Sequence, residues 1–325
     1  MKWSEFWRGL LNKAVVGYLL PILLWLVLCH PPDFFVFISL QAIALQIGVM
    51  WLLAVALFPL FQMQRYIVAH LVGIAALVFY LYPKAFPKVY WTKHTSEVAT
   101  FKALHLNVHD RNTQHQRLID QVLAQKADLV TLIEVNHRWA KALQAGLKQG
   151  YPYYFIYPVD NAFSGMAVFA KYPLENVQYI LEDEPPTIAG NIHLPQGEIH
   201  FISSHTSAPI LQGRIKRRYQ QLDKLAQEIT EHQDLPVLLL GDFNAVPWER
   251  LILDFKQQTQ MQATRSGLQN TFPTWALWAG IPIDYIFYSS QLVCYGNTVF
   301  QYTGSDHVGL VGEFGWRQEE IKEAK

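Results

Sequence analysis

Two cysteines, Cys29 and Cys294, are all that the 325-residue chain contains, one in each half. That excludes a disulfide framework and a cysteine metal cluster, and leaves the redox compartment open. Net charge is lacking as well, because 26 basic side chains balance 26 acidic ones. A chain without positive excess is not built to coat nucleic acid, whose binding rests on neutralising phosphates. Charged residues make up only 16% while hydrophobic ones reach 51%, which excludes an intrinsically disordered chain. No internal repeat is visible, and the polar tail after Trp316 is the one low-complexity stretch.

The charge that exists is unevenly spread, with seven basic and three acidic residues in 1–97 and a balance of −4 in the remainder. Intervals 14–32, 34–64 and 66–83 hold no Asp, Glu, Lys or Arg at all. A helix crosses the hydrocarbon core with about 20 apolar residues, so each interval can supply one span. Spans are expected near 11–29, 36–59 and 66–82, making 1–97 a membrane region and the lipid bilayer a partner. Against a cleavable signal peptide, the chain after Leu28 reads Cys-His-Pro-Pro-Asp, with no small-residue cleavage site. Pro21 is tolerable in a span whose neighbours satisfy the freed carbonyl. Trp3, Trp7, Tyr80, Tyr82, Tyr90 and Trp91 suit interfacial positions. Lys2, Arg8 and Lys13 before the first span, with Arg65 between the second and third, place the amino terminus in the cytoplasm. Three crossings then make the rest extracytoplasmic. Lys84, Lys88 and Lys93 weigh against that placement, and a third segment lying in the interface would reverse it.

From Thr100 short apolar runs alternate with polar helical stretches, the texture of an α/β domain over 98–325. Strands are expected at Phe101–Asn107, Leu129–Glu134, Met166–Ala170, Ile199–His205, Val237–Gly241 and Ile283–Tyr288, and helices at 113–126, 136–148 and 213–232. Several of these strands end in polar residues able to bind a metal or phosphate: Asn107, Glu134, His205, and Asp242 with Asn244. Asp284 opens Asp-Tyr-Ile-Phe, and Asp306-His307 follow Gly-Ser. One such residue is ordinarily a turn or cap. Six such positions against apolar strands each cost free energy unless paired or bound to a ligand.

Taken in order, Asn107, Glu134, the Gly241-Asp242-Phe243-Asn244 tetrad, Asp284 and the Ser305-Asp306-His307 triplet resemble the successive signatures of the endonuclease/exonuclease/phosphatase superfamily. The stretch His205-Thr206-Ser207-Ala208-Pro209 is similar to the histidine segment of the pancreatic-type deoxyribonucleases. The resemblance covers about Phe101 to Phe314 and implies a four-layer α/β sandwich, two mixed sheets flanked by helices. With the membrane third, it resembles bacterial membrane-anchored members, which implies an inner-membrane protein.

A phosphodiester resists anionic attack, so its hydrolysis needs a divalent cation, a base for water and an acid or metal for the leaving oxygen. Hard oxygen-loving ions such as Mg²⁺ or Mn²⁺ take one or two carboxylates and keep waters. The resemblance implies Glu134 as central ligand, Asn107 at the metal or its water, and Asp306 as a second ligand. It makes His307 a general base or phosphate-contacting imidazole, held by Asp284 in a pairing that raises basicity and fixes the tautomer. His205 is then the second imidazole, Asp242 aligns or deprotonates the water, and Asn244 donates to a phosphoryl oxygen. Which histidine is acid and which is base stays open. Asp160 lies near the interval of the carboxylate that partners the equivalent of His205 in the deoxyribonucleases, but in unlike surroundings. His109 stands where some members have an acidic residue, which leaves a second metal open.

Arg214, Lys216, Arg217 and Arg218 begin the 213–232 helix. They suit an anionic substrate, by steering or by a bidentate Arg clamp, as well as they suit a solvated helix face. Trp275 and Trp278 are expected in the core, with base stacking or lipid contact as the other reading. His105, His115, His137, His193, His200 and His232 show no ligand spacing and read as structural. The expectation is a membrane-anchored, divalent-metal-dependent phosphodiesterase acting on nucleic acid, a phospholipid head group or another phosphate ester. A catalytically silent module that binds phosphate ligands or a protein is the competing reading.

Overall fold

Without charge to hold them in water, the amino-terminal segments pair their backbone internally and fold as helices. The structure, a computed structural model, describes residues 13, 15–87, 99–160, 163–181 and 185–317. One π-helical turn, Val15–Leu19, leads into α1 (Leu20–Cys29), then α2 (Phe35–Ala42), α3 (Ala44–Ala56) and α4 (Ile67–Ala85). Among the described residues one helix, Gln64–Ala85, is long and apolar enough to cross a membrane. The second expected span is broken, because α2 and α3 meet at 73° where Ile43 leaves helical geometry. The first is a shorter apolar helix over Val15–Cys29, with Pro21 just after its π-helical turn, where the Val16 carbonyl meets His70 Nε2 of α4 at 3.1 Å. Trp3, Trp7, Tyr90, Trp91, Lys2, Arg8 and the expected boundary at 97/98 lie outside the described residues. Large apolar side chains cover the outer helix faces, among them Met50, Leu60 and Phe79.

Twelve strands follow among the described residues: β1 (Phe101–Asn107), β2 (Leu129–Ile133), β3 (Tyr153–Tyr157), β4 (Met166–Ala170), β5 (Leu174–Leu181), β6 (Thr187–Leu194), β7 (Gly197–His205), β8 (Val237–Asp242), β9 (Gln262–Ala263), β10 (Asp284–Tyr288), β11 (Leu292–Gln301) and β12 (Val308–Trp316). They form two six-stranded mixed sheets, in the orders β11-β12-β1-β2-β4-β3 and β5-β6-β7-β8-β10-β9. Alternation along each strand decides the layers. On β1, Phe101 and Ala103 enter the core between the sheets, while Leu104 and Leu106 face outward. Helices α5 (His115–Gln125) and α6 (His137–Leu147) cover that outer face, and α7 (Gln212–Glu231) and α8 (Arg250–Thr259) cover the second sheet. The result is the expected four-layer sandwich.

One end of the helical region is fastened to this sandwich. Leu28, Cys29, Ala44, Leu81 and Ala85 share an apolar cluster with Val246, Trp248 and Ile283. Trp248 Nε1 donates to Gln41 O at 2.8 Å, Gln46 Nε2 to the carbonyls of Ala279 and Gly280, both at 2.9 Å, and the buried Arg265 to Lys84 O and Ala85 O at 2.6 and 2.7 Å. The Arg265 bonds satisfy carbonyls at the carboxy end of α4 that the helix itself leaves open.

Candidate active site

Strand register assembles the site. Parallel pairing of β1 with β2 sets Asn107 beside Ile133, so Glu134 follows at the same end. In the other sheet His205 pairs with Asp242 across β7 and β8, and Asp284 pairs with Asp242 across β8 and β10. Gly241 lets β7 approach, since a Cβ there would run into the Ser204 carbonyl. His307 ends the loop before β12, the antiparallel neighbour of β1, and its backbone N–H donates to Ser305 Oγ, which itself donates to Asn107 O. A cavity of about 380 Å³ opens there, lined by Glu134, Asp306, His307, His205, Asp242 and Asn244, with Arg214 and Arg217 at its side.

Glu134 is nine-tenths buried. Asn107 Nδ2 donates to its Oε1 at 2.8 Å and the Asp110 N–H to its Oε2 at 3.2 Å. Its φ of 63° is left-handed, a conformation that costs a non-glycine residue free energy and clusters at functional positions. Burial pushes its carboxyl upward against the bond from Asn107. His307 Nδ1 donates to Asp284 Oδ2 at 2.8 Å, and its Nε2 lies 3.9 Å from Asp242 Oδ2. Burial opposes the charged imidazole, but Asp284 outweighs it and lifts His307 to about 10. The same partnership, against burial, holds the Asp284 carboxyl well below the usual range. Asp242 is raised well above its ordinary value by burial and by the charge of Asp284. His205 Nε2 is 3.8 Å from Asp242 Oδ2, and burial, with His307 nearby, lowers it to about 3. The pocket thus sets a charged imidazole and a neutral one around a carboxyl of raised basicity. Asn244 is fixed by its N–H to Asp242 Oδ1 at 2.7 Å and its Nδ2 to Thr206 O at 2.9 Å.

Not every expected site residue faces this cavity. Arg218 turns inward with 1% exposure, pairs with Glu249 at 2.8 Å and donates to Asn244 O at 3.0 Å. It braces the Asn244 loop instead of meeting substrate. Arg218→Leu, which strands the Glu249 carboxylate, is expected to cost about 3–5 kcal/mol of stability, and Arg218→Leu/Glu249→Leu to recover most of it. Thermal unfolding of the full chain in detergent measures both, and a single variant as stable as the double would contradict the brace. Asp160 binds His137 Nδ1 at 3.0 Å, with both side chains exposed. Trp275 and Trp278 lie on a 3-10 turn, Thr274–Ala279, and are 83% and 90% exposed, so the expected core placement is corrected. His105, read above as structural, is fully buried with Nε2 3.5 Å from Asp284 Oδ1, on the far side of that carboxylate from His307. The signal was its place two residues before Asn107, on the same face of β1.

The donor set fits a hard divalent cation. Among the described residues the one basic side-chain nitrogen within 4 Å of the buried Glu134 carboxylate is His109 Nδ1, at 3.9 Å. Asp306 Oδ1, 3.3 Å from the same His109 Nδ1, is shielded from water without a hydrogen bond. A carboxylate oxygen left this way, beside the His109, Asp110 and Glu134 group, suits Mg²⁺ or Mn²⁺ better than a softer ion.

Residues 99–307 match the Endonuclease/Exonuclease/phosphatase family. The chain belongs to that family. Endonuclease/exonuclease/phosphatase enzymes hydrolyse phosphate esters, and this chain is a hydrolase of that class. They are generally divalent-metal dependent. The family fold recurs in the human nocturnin catalytic domain (20% identity, 67% of this chain and 95% of that one, TM-score 0.55). It recurs also in beta toxin from Staphylococcus aureus (17%, 65% and 99%, TM-score 0.53) and in a family protein from Bacteroides thetaiotaomicron (17%, 68% and 100%, TM-score 0.55). No curated protein matches the chain.

Proposed function

We propose that the chain is a membrane-anchored, divalent-metal-dependent phosphodiesterase, with residues 98–325 as its catalytic domain and 1–97 as its anchor. The observation that carries this reading is the convergence of Glu134 and Asp306 with the His307–Asp284 pair, His205, Asp242 and Asn244 on one cavity. Glu134 and Asp306 would hold the ion, with Asn107 orienting Glu134. When bound, the ion supplies Lewis-acid stabilisation of the charge that develops on the phosphoryl group.

The remaining work falls to the protein's own side chains. Asp242, whose basicity burial raises, accepts a proton from the attacking water. His307, kept positive by Asp284, and His205, kept neutral by burial, offer N–H donors to the phosphoryl oxygens, and Asn244 Nδ2 adds a neutral donor. Arg214 and Arg217 draw the anion in. Exposed apolar helix faces support the anchor; with three crossings, the basic flanks of the first span would set the catalytic domain outside the cytoplasm on an inner membrane. The full chain in detergent is expected to hydrolyse bis-p-nitrophenyl phosphate with Mg²⁺ or Mn²⁺, to stop in EDTA and to recover on adding metal back. Turnover that survives EDTA would overturn the reading.

A further inference from the structure

The pocket and the end of the helical region are built from shared residues. Ile283 and Phe272 line the cavity and also belong to the apolar cluster that holds Leu28, Ala44 and Leu81 of the helices. Residues of the helical region that hydrogen-bond to the sandwich, Asp33, Gln41, Gln46, Lys84 and Ala85, come from the loop between α1 and α2, from α2, from the start of α3 and from the carboxy end of α4. Their partners flank the catalytic strands: Trp248 lies just after Asn244, and Ala279 and Gly280 just before Asp284. The active-site end of the domain is therefore the end that meets the helices.

Two exposed apolar loops adjoin residues that line the cavity, one following Phe272 and the other lying between Ala208 and Arg214. One carries Trp275 and Trp278, and Gln46 of α3 holds its Ala279 and Gly280 carbonyls. The other carries Ile210 and Leu211, 59% and 58% exposed, between the His205–Ala208 segment and the arginines of α7. It too is tied to the helices, since Gln212 Nε2 donates to Asp33 O and Gln212 Oε1 accepts from Phe35 N–H. Four large apolar side chains in water beside a phosphate pocket are unfavourable, whereas at a bilayer interface tryptophan and branched aliphatics are at home. Arg214, Lys216 and Arg217 stand on the first turns of α7, next to the second loop, where anionic head groups attract cations.

From this juxtaposition we infer that the pocket opens onto the bilayer surface, with the Trp275–Trp278 and Ile210–Leu211 loops inserted on either side of its mouth, and that the substrate is a phosphate ester carried by a lipid. The inference rests on the phosphodiesterase reading above. Its test uses the full chain in vesicles of phosphatidylcholine containing phosphatidylglycerol, phosphatidic acid or sphingomyelin, with bis-p-nitrophenyl phosphate and plasmid DNA as soluble substrates. Trp275→Ala/Trp278→Ala is expected to lose at least tenfold on vesicle lipid and to stay within twofold on bis-p-nitrophenyl phosphate. Independently of activity, brominated phosphatidylcholine should quench wild-type fluorescence more than that of Trp275→Phe/Trp278→Phe. Equal quenching of both proteins, equal losses on soluble and vesicle substrates, or turnover of DNA without turnover of any lipid phosphate would overturn the inference. Absence of bis-p-nitrophenyl phosphate hydrolysis by wild type would instead remove the phosphodiesterase reading, with the quenching still reporting on insertion.

Discussion

Glu134→Gln is expected to lower kcat/KM by about three orders of magnitude, because several kcal/mol of charge stabilisation depend on this carboxylate and each 1.36 kcal/mol is tenfold in rate. The fold should survive. Gln has nearly the shape of Glu and meets the same left-handed backbone, while the substitution removes a charge that burial already disfavours. Relief of that charge offsets the loss of one of the two hydrogen bonds from Asn107 and Asp110, so in EDTA the variant should melt close to wild type. Mg²⁺ should raise the wild-type melting temperature by binding the native state and leave the variant unmoved. A variant that loses activity and also melts well below wild type in EDTA would make Glu134 a structural residue.

Asp284→Asn is expected to cost about 10²–10⁴-fold in kcat, the usual range for losing a positioned acid or base, with KM changed little. Asp284 lies 2.8 Å from His307 Nδ1, and its negative charge keeps that imidazole protonated against burial. An amide in its place keeps the size and removes the charge. Since Asp284 acts through His307, the two substitutions should not add: in a His307→Ala background, Asp284→Asn should lose little more. Multiplicative losses would mean that Asp284 works by another route, for which His105 on its other side is the available partner.

Much of this arrangement is legible in the chain because buried strands announce themselves. β1, β2, β4, β8 and β10 are short apolar runs, and the carboxylates and amides after or at their ends stand out against them. Among the strands that escape notice, β11 and β12 are diluted ones. β12 carries Gly309, Gly312 and Gly315, and β11 is half-exposed over most of its length. Helix direction is likewise invisible from composition, since Arg214 and Arg217 line the cavity while Arg218, one residue on, packs inward against a carboxylate on a distant loop. His105 lies 179 positions from Asp284, and only the pairing of both sheets at one end joins them. In the apolar third, the lack of charge marks helices but not the 73° break between α2 and α3.

The central claim, that this cavity is a metal-dependent centre organised by Glu134, is tested most directly by titrating the full chain with Mn²⁺ and following bound ion by electron paramagnetic resonance alongside hydrolysis in the same samples. Bound Mn²⁺ and activity should rise together in wild type, Mn²⁺ should still bind in His307→Ala, and it should be lost in Glu134→Gln. Equal Mn²⁺ binding by Glu134→Gln and wild type, or activity that is full before any ion binds, would contradict the account.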